Sequence, residues 1–120
     1  MKKVLIVDDH ADLRRLLAIT LGKEFDIMQA NDGVTALETV RASRPQMVLL
    51  DIMMPGEMDG LQVLSCIKTD PALKNTLVVM ITARGQKADV ELGRSLGADK
   101  YITKPFSPVS LVTWIRTQLT

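Results

Sequence analysis

Cysteine is almost missing from this sequence: Cys66 is the only one in 120 residues. It can close no internal bridge, so a disulfide framework is excluded and a reducing compartment is expected. An excess of charge is missing as well, since fifteen Lys and Arg face fourteen Asp and Glu for a formal charge of +1. That balance argues against electrostatic capture of nucleic acid or an anionic membrane. Long hydrophobic runs are also lacking: Met1-Lys2-Lys3 is followed by only four apolar residues before Asp8, too short for a signal-peptide core or a spanning helix. A cytoplasmic chain is expected. No internal repeat, low-complexity segment or linker interrupts it, so residues 1–120 read as one domain. With 47% hydrophobic and 24% charged residues in 13.3 kDa, the chain is suited to a soluble globular fold. At this length roughly two-thirds of the unfolded surface is buried, enough for an apolar core without staples.

What is present is an alternation of two periodicities. Apolar runs of strand length stand at Val4 to Val7, Met47 to Leu50 and Leu77 to Ile81, with shorter candidates at Asp26 to Ala30 and Lys100 to Thr103. Between them, helical spacing appears in Leu13, Leu16, Leu17 and Leu21; Leu37 and Val40; Leu61, Leu64 and Ile67; Val90, Leu92 and Leu96; and Leu111, Val112, Ile115 and Leu119. Asp32-Gly33, Asp59-Gly60 and Ser107-Pro108 supply caps or an N1 proline where helices should begin, and Gly22 and Gly97 stand where helices should stop. Continuous apolar strands separated by amphipathic helices suit a parallel sheet covered on both faces by right-handed crossovers. The expected architecture is a doubly wound α/β fold of five strands and five helices.

In such a sheet ligands bind outside the carboxyl ends of the strands. The unusual polar residues stand there: Asp8 and Asp9 after the first strand, Asp51 after the third, Thr82 at the fourth, and Lys104-Pro105 after the fifth. Carboxylates crowded together repel one another unless a cation neutralises them. A hard ion such as Mg²⁺ fits, because it takes a few carboxylate oxygens, waters and a phosphate oxygen in preference to an all-protein cage. The Thr82 hydroxyl and the Lys104 ammonium suit phosphoryl oxygens, and one carboxylate could act as nucleophile to give an aspartyl phosphate.

These residues, in order, resemble the receiver domain of bacterial two-component response regulators, of the chemotaxis-regulator type. The resemblance covers the whole chain through Val4-Leu5-Ile6-Val7-Asp8-Asp9, Val48-Leu49-Leu50-Asp51-Ile52-Met53-Met54-Pro55, Met58-Asp59-Gly60, Ile81-Thr82-Ala83, Gly97-Ala98-Asp99 and Tyr101-Ile102-Thr103-Lys104-Pro105-Phe106. It implies the flavodoxin-like strand order 2-1-3-4-5, which the chemotaxis member of this family exemplifies. It further implies that Asp51 accepts a phosphoryl group from a sensor histidine kinase or phosphotransfer protein. Asp8, Asp9, Asp51 and the main-chain carbonyl of Met53 would hold Mg²⁺, with Lys104 on the phosphoryl oxygens. Thr82 and Tyr101 would form a switch that changes the face of the last two helices and last strand, and Lys104-Pro105 would be a cis bond. The chain is then a signalling phosphoacceptor and not a turnover enzyme. It would assist its own phosphorylation, act through an unknown protein target or an output domain absent from these residues, and have homodimerisation open to it once phosphorylated, without contacting nucleic acid or membrane itself.

Other residues carry plainer readings. His10 reads as a surface residue at a helix start, Cys66 as an inert small hydrophobe, Trp114 as packing at the edge of a buried stripe, and Met53, Met54 and Met58 as loop packing. Tyr101 has the alternative of covering the sheet edge with a wet hydroxyl. Two departures from the family pattern stand out. The stretch Met54-Pro55-Gly56-Glu57-Met58-Asp59-Gly60 is one residue longer than the common loop, and Met53 and Arg84 occupy the positions that flank attacking water in this family. Neither side chain orients water well, so slow loss of the phosphoryl group is expected. Two other readings remain: a degenerate receiver acting only as a scaffold, whose key acids and lysine would normally be missing, and a flavodoxin-like electron carrier. The second needs a hydroxyl- and glycine-rich phosphate loop where this chain has Asp8-Asp9-His10.

Overall fold

The computed structural model describes residues 1–120. Strands β1 (Lys3–Val7), β2 (Asp26–Ala30), β3 (Met47–Leu50), β4 (Leu77–Thr82) and β5 (Lys100–Thr103) form one parallel sheet in the order β2-β1-β3-β4-β5. Helices α1 (Ala11–Leu21), α2 (Gly33–Ser43), α3 (Gly60–Thr69), α4 (Lys87–Ser95) and α5 (Pro108–Leu119) connect them. The expected order and element count are both found. A short 3₁₀ turn at Gly22–Glu24, between α1 and β2, has no counterpart in the sequence reading.

The continuous apolar runs have a simple cause. Every residue of β3 is buried, because the strand is central and both of its faces are covered. Alternate side chains feed two separate cores. Leu5, Val7, Val48, Leu50, Val78 and Met80 meet Val40 of α2 and Leu64 and Ile67 of α3 on one face. Val4, Ile6, Leu49, Val79 and Ile81 meet Leu17 and Leu21 of α1 and Ile115 of α5 on the other. The helix starts follow the capping residues: Asp32 accepts from the Thr35 N–H at 2.8 Å, Asp59 and Gln62 form a reciprocal capping box, and Ser107 accepts from the Ser110 N–H at 3.2 Å.

Helix α4 departs from its expected apolar stripe. Leu92 is 46% exposed, and the only buried residue of the helix is Gly93. The helix covers little more than the last strand, so it has less sheet to bury than α1, α2, α3 and α5. Leu16 of α1 is likewise exposed, since Leu17 and Leu21 take the core-facing positions. No helix is long and apolar enough to cross a membrane.

Candidate functional site

Parallel pairing of β1 with β3 sets Val7 opposite Leu50, so the residues that follow, Asp8 and Asp51, emerge side by side. The Asp51 N–H donates to the Val7 carbonyl at 3.1 Å, continuing the ladder through the junction. Both acids are buried, at 3% exposure for Asp8 and 4% for Asp51. A third segment reaches them from two strands away. The Lys104 N–H donates to the Thr82 carbonyl at 2.9 Å, the Lys104–Pro105 peptide bond is cis, and the Lys104 ammonium lies 2.9 Å from Asp8 Oδ2 and 3.0 Å from Asp51 Oδ2. One cation therefore bridges two buried carboxylates.

The other carboxylate oxygens are partly engaged. Asp51 Oδ1 accepts from the Met53 N–H at 3.2 Å, and Asp8 Oδ1 accepts from the His10 N–H at 2.9 Å. Burial pushes the Asp8 acid up, but the His10 N–H and the Lys104 ammonium outweigh it and hold the carboxyl below its ordinary value. Burial pulls the Lys104 ammonium down, yet hydrogen bonds and charge from Asp8 and Asp51 raise it overall. Asp9 is exposed, and the candidate ligand atoms of Asp8, Asp9, His10 and Asp51 all lie within 4.8 Å of one another. His10 is exposed at the N-cap of α1, the surface helix-start position expected, and its ring also reaches the acids. Its Nδ1 sits 3.0 Å from Asp8 Oδ1 and 3.1 Å from Asp9 Oδ1, because the tight turn into α1 folds the ring back over both acids.

Thr82 is fully buried, and its hydroxyl oxygen accepts from the Arg84 N–H at 3.3 Å. The Tyr101 hydroxyl donates to the Arg84 carbonyl, and its ring lies against α4 at Gly93, where a Cβ would come within 2.9 Å of the ring. Burial of Tyr101, then the charge of Asp89, raises its phenol above the ordinary value despite Arg84 nearby. An open cavity of about 360 Å³ lies beside the acids, lined by Asp9, Ile52, Met53, Met54, Pro55, Asp59 and Arg84. Met54 and Met58 pack on the core as expected, whereas Met53 is 60% exposed at this cavity. Gly56, in the lengthened loop, is exposed with φ +96°, so the extra residue is taken up at the surface. Trp114 is partly buried at the edge of its core, with the Lys100 ammonium 5.0 Å from its ring centre.

Two residues contribute in ways the sequence did not indicate. A Cβ at Gly60 would stand 2.0 Å from the Asp51 carbonyl oxygen, so Gly60 is what lets α3 start against the acid. In the sequence it looked only like the neighbour of a cap. Arg84 joins Thr82, Tyr101 and, through Asp89, helix α4. Its two-residue offset from Thr82 was the one available signal.

A sequence profile described as the response regulator receiver domain matches residues 4–116. The chain is 44% identical over 119 residues to the DNA-binding response regulator MtrA of Mycobacterium tuberculosis, covering 98% of this chain and 50% of MtrA. It is 38% identical over 116 residues to the phosphate regulon transcriptional regulatory protein PhoB of Klebsiella pneumoniae, covering 96% of this chain and 50% of PhoB. The chain thus spans about half the length of these relatives. Among solved structures, Vibrio cholerae chemotaxis protein CheY4 superposes with a TM-score of 0.89 at 28% identity, covering 99% of each chain. A BeF3-activated DrrB receiver domain gives 0.90 at 27% identity, covering 99% of this chain and 97% of the other.

Proposed function

The chain belongs to the response regulator receiver domain family, and from that premise we propose that it is a phosphoacceptor of a two-component phosphorelay in which Asp51 takes the phosphoryl group. The observation that carries the reading is the Lys104 ammonium shared between the buried Asp8 and Asp51 carboxylates. An ammonium there sets its charge against the attacking carboxylate and is poised to donate to a phosphoryl oxygen. A carboxylate oxygen of Asp51 attacks phosphorus, the P–N bond of a phosphohistidine breaks, and the imidazole leaves as its nitrogen takes up a proton. The Thr82 hydroxyl, buried at the end of β4, is the neutral donor for the same oxygens.

The donor set fits a hard divalent ion, because Asp8, Asp9 and Asp51 offer carboxylate oxygens where a single lysine balances two of the three. Asp8, Asp9, Asp51 and the Met53 carbonyl would hold Mg²⁺. The ion, when bound, neutralises charge on the acids and on phosphoryl oxygens. Asp9, the exposed member, would offer its carboxylate to the ion from the solvent side.

The output is assigned to the surface around α4, β5 and α5. Thr82 and Tyr101 both bond Arg84, so a change at the acid pocket has a direct path to the ring that rests on α4. A near-neutral charge supports protein partners for this domain, a histidine kinase or phosphotransfer protein on one side and a target or output domain on the other, in the cytoplasm. DNA binding, named for MtrA, would then fall to a segment outside these residues.

The test is incubation with acetyl phosphate and Mg²⁺ followed by intact mass. The wild type should gain one phosphoryl group and Asp51→Asn none. A labelled Asp51→Asn protein overturns the assignment.

A further inference from the structure

Arg84 makes three unlike contacts. Its N–H meets the Thr82 hydroxyl at 3.3 Å, its carbonyl accepts from Tyr101, and its guanidinium pairs with Asp89 in the first turn of α4 at 3.2 Å. Arg84 is also among the residues lining the cavity with Asp9, Met53 and Asp59. The contact to Asp89 is a single Nη2 to Oδ1 bond, and the Arg84 side chain is 48% exposed, so the pair is weak and easily exchanged. Lys104 is already shared by Asp8 and Asp51. A phosphoryl group would carry up to about two negative charges in place of the single Asp51 charge, and three acceptor oxygens, a better partner for a forked guanidinium than one carboxylate oxygen.

Given that Asp51 is the phosphoacceptor, on which this inference rests, we propose that Arg84 is a phosphoryl-contacting residue that exchanges Asp89 for the phosphoryl group and thereby loosens the first turn of α4. The consequence for α4 follows from its packing. With Gly93 its only buried residue and Leu92 exposed, the helix has little apolar burial to hold it when the Asp89 tether is released. The consequence for lifetime follows from charge and position. Hydrolysis needs a water oxygen to bond phosphorus while the Asp51 oxygen leaves as carboxylate, and a guanidinium over the phosphoryl oxygens at the cavity rim obstructs that approach.

The experiment uses the whole chain as wild type, Arg84→Gln and Asp89→Asn, each loaded with acetyl phosphate and Mg²⁺. Intact mass gives the label and its half-life, and hydrogen exchange reports the segment 86–92 before and after loading. Loading should raise exchange in wild type several-fold. Asp89→Asn should show the raised exchange beforehand, change little on loading and keep the wild-type half-life. Arg84→Gln should also start raised, and its half-life should fall about fivefold to tenfold, the scale of one charge-assisted contact. If labelled wild type shows no rise in that segment, or if Arg84→Gln keeps the wild-type half-life, Arg84 does not have this role. If wild type takes no label, the phosphoacceptor reading fails and this inference with it, and the mass alone tells the two failures apart.

Discussion

Lys104 and Asp51 belong to segments that follow β5 and β3, with β4 lying between those strands, yet the Lys104 ammonium sits 3.0 Å from Asp51 Oδ2. The same nitrogen is 2.9 Å from Asp8 Oδ2. Two carboxylates this deeply buried would repel each other and lose solvation if they stood alone, so the lysine is a structural counter-ion to both.

Removing that cation should therefore cost stability. Lys104→Met is expected to lower the unfolding free energy by about 1–3 kcal/mol in chelator, the penalty for leaving buried acids unpaired. Millimolar Mg²⁺ should recover part of the loss by occupying the same acids. Urea unfolding with and without Mg²⁺ measures both; an unchanged midpoint in chelator would show that the acids do not need the ammonium.

Acid should weaken the fold through Asp8. Its carboxyl is held below the ordinary value of 3.8 in the folded protein, so the native state binds fewer protons there than the unfolded chain. The contribution is complete above that ordinary value and is lost as pH falls through the depressed one. Lys104 has the opposite sense: raised above 10.5, it contributes fully below that value and the contribution disappears as pH climbs through the raised one. Denaturation series on wild type and Asp8→Asn should show a flatter acid limb in the variant.

Gly60→Ala should be harmful for a reason no helix propensity foresees. Alanine is the better helix former, but its Cβ would fall 2.0 Å from the Asp51 carbonyl oxygen, and backbone cannot yield as a side chain does. A loss of about 2–3 kcal/mol is expected, together with displacement of the Asp51 loop. Thermal unfolding and Mg²⁺ titration would register the two effects, and a stabilised variant would contradict them.

Met53 should govern how long the phosphoryl group survives. It is exposed at the cavity and has no group to orient water, so Met53→Asn, which adds an amide, should speed loss of label by about tenfold. Decay followed by intact mass in Mg²⁺ tests this. Equal half-lives would mean that access to phosphorus is controlled elsewhere.

Much of the architecture was legible along the chain because it rests on local rules. Period-two burial set the two cores, unbroken apolar runs marked strands covered on both faces, and Asp32, Asp59 and Ser107 marked helix starts with their own side chains. Asp8, Asp9, Asp51, Thr82 and Lys104 were visible as candidates because parallel strands deliver their last residues to one edge. Helix α4 misled for the same reason: its apolar spacing was real, but it had only the last strand to cover, so Leu92 stayed in solvent.

The sequence alone determined which residues become strands and helices and which polar groups arrive at the carboxyl edge, since backbone geometry and side-chain periodicity act over a few neighbours. Only the tertiary structure decided how those groups meet: that one ammonium spans two acids, that His10 folds over Asp8 and Asp9, that Gly60 must lack a side chain beside Asp51, and that Arg84 ties Thr82 and Tyr101 to α4. These are distances between atoms far apart in the chain or turned toward one another by a loop, and no periodicity encodes them.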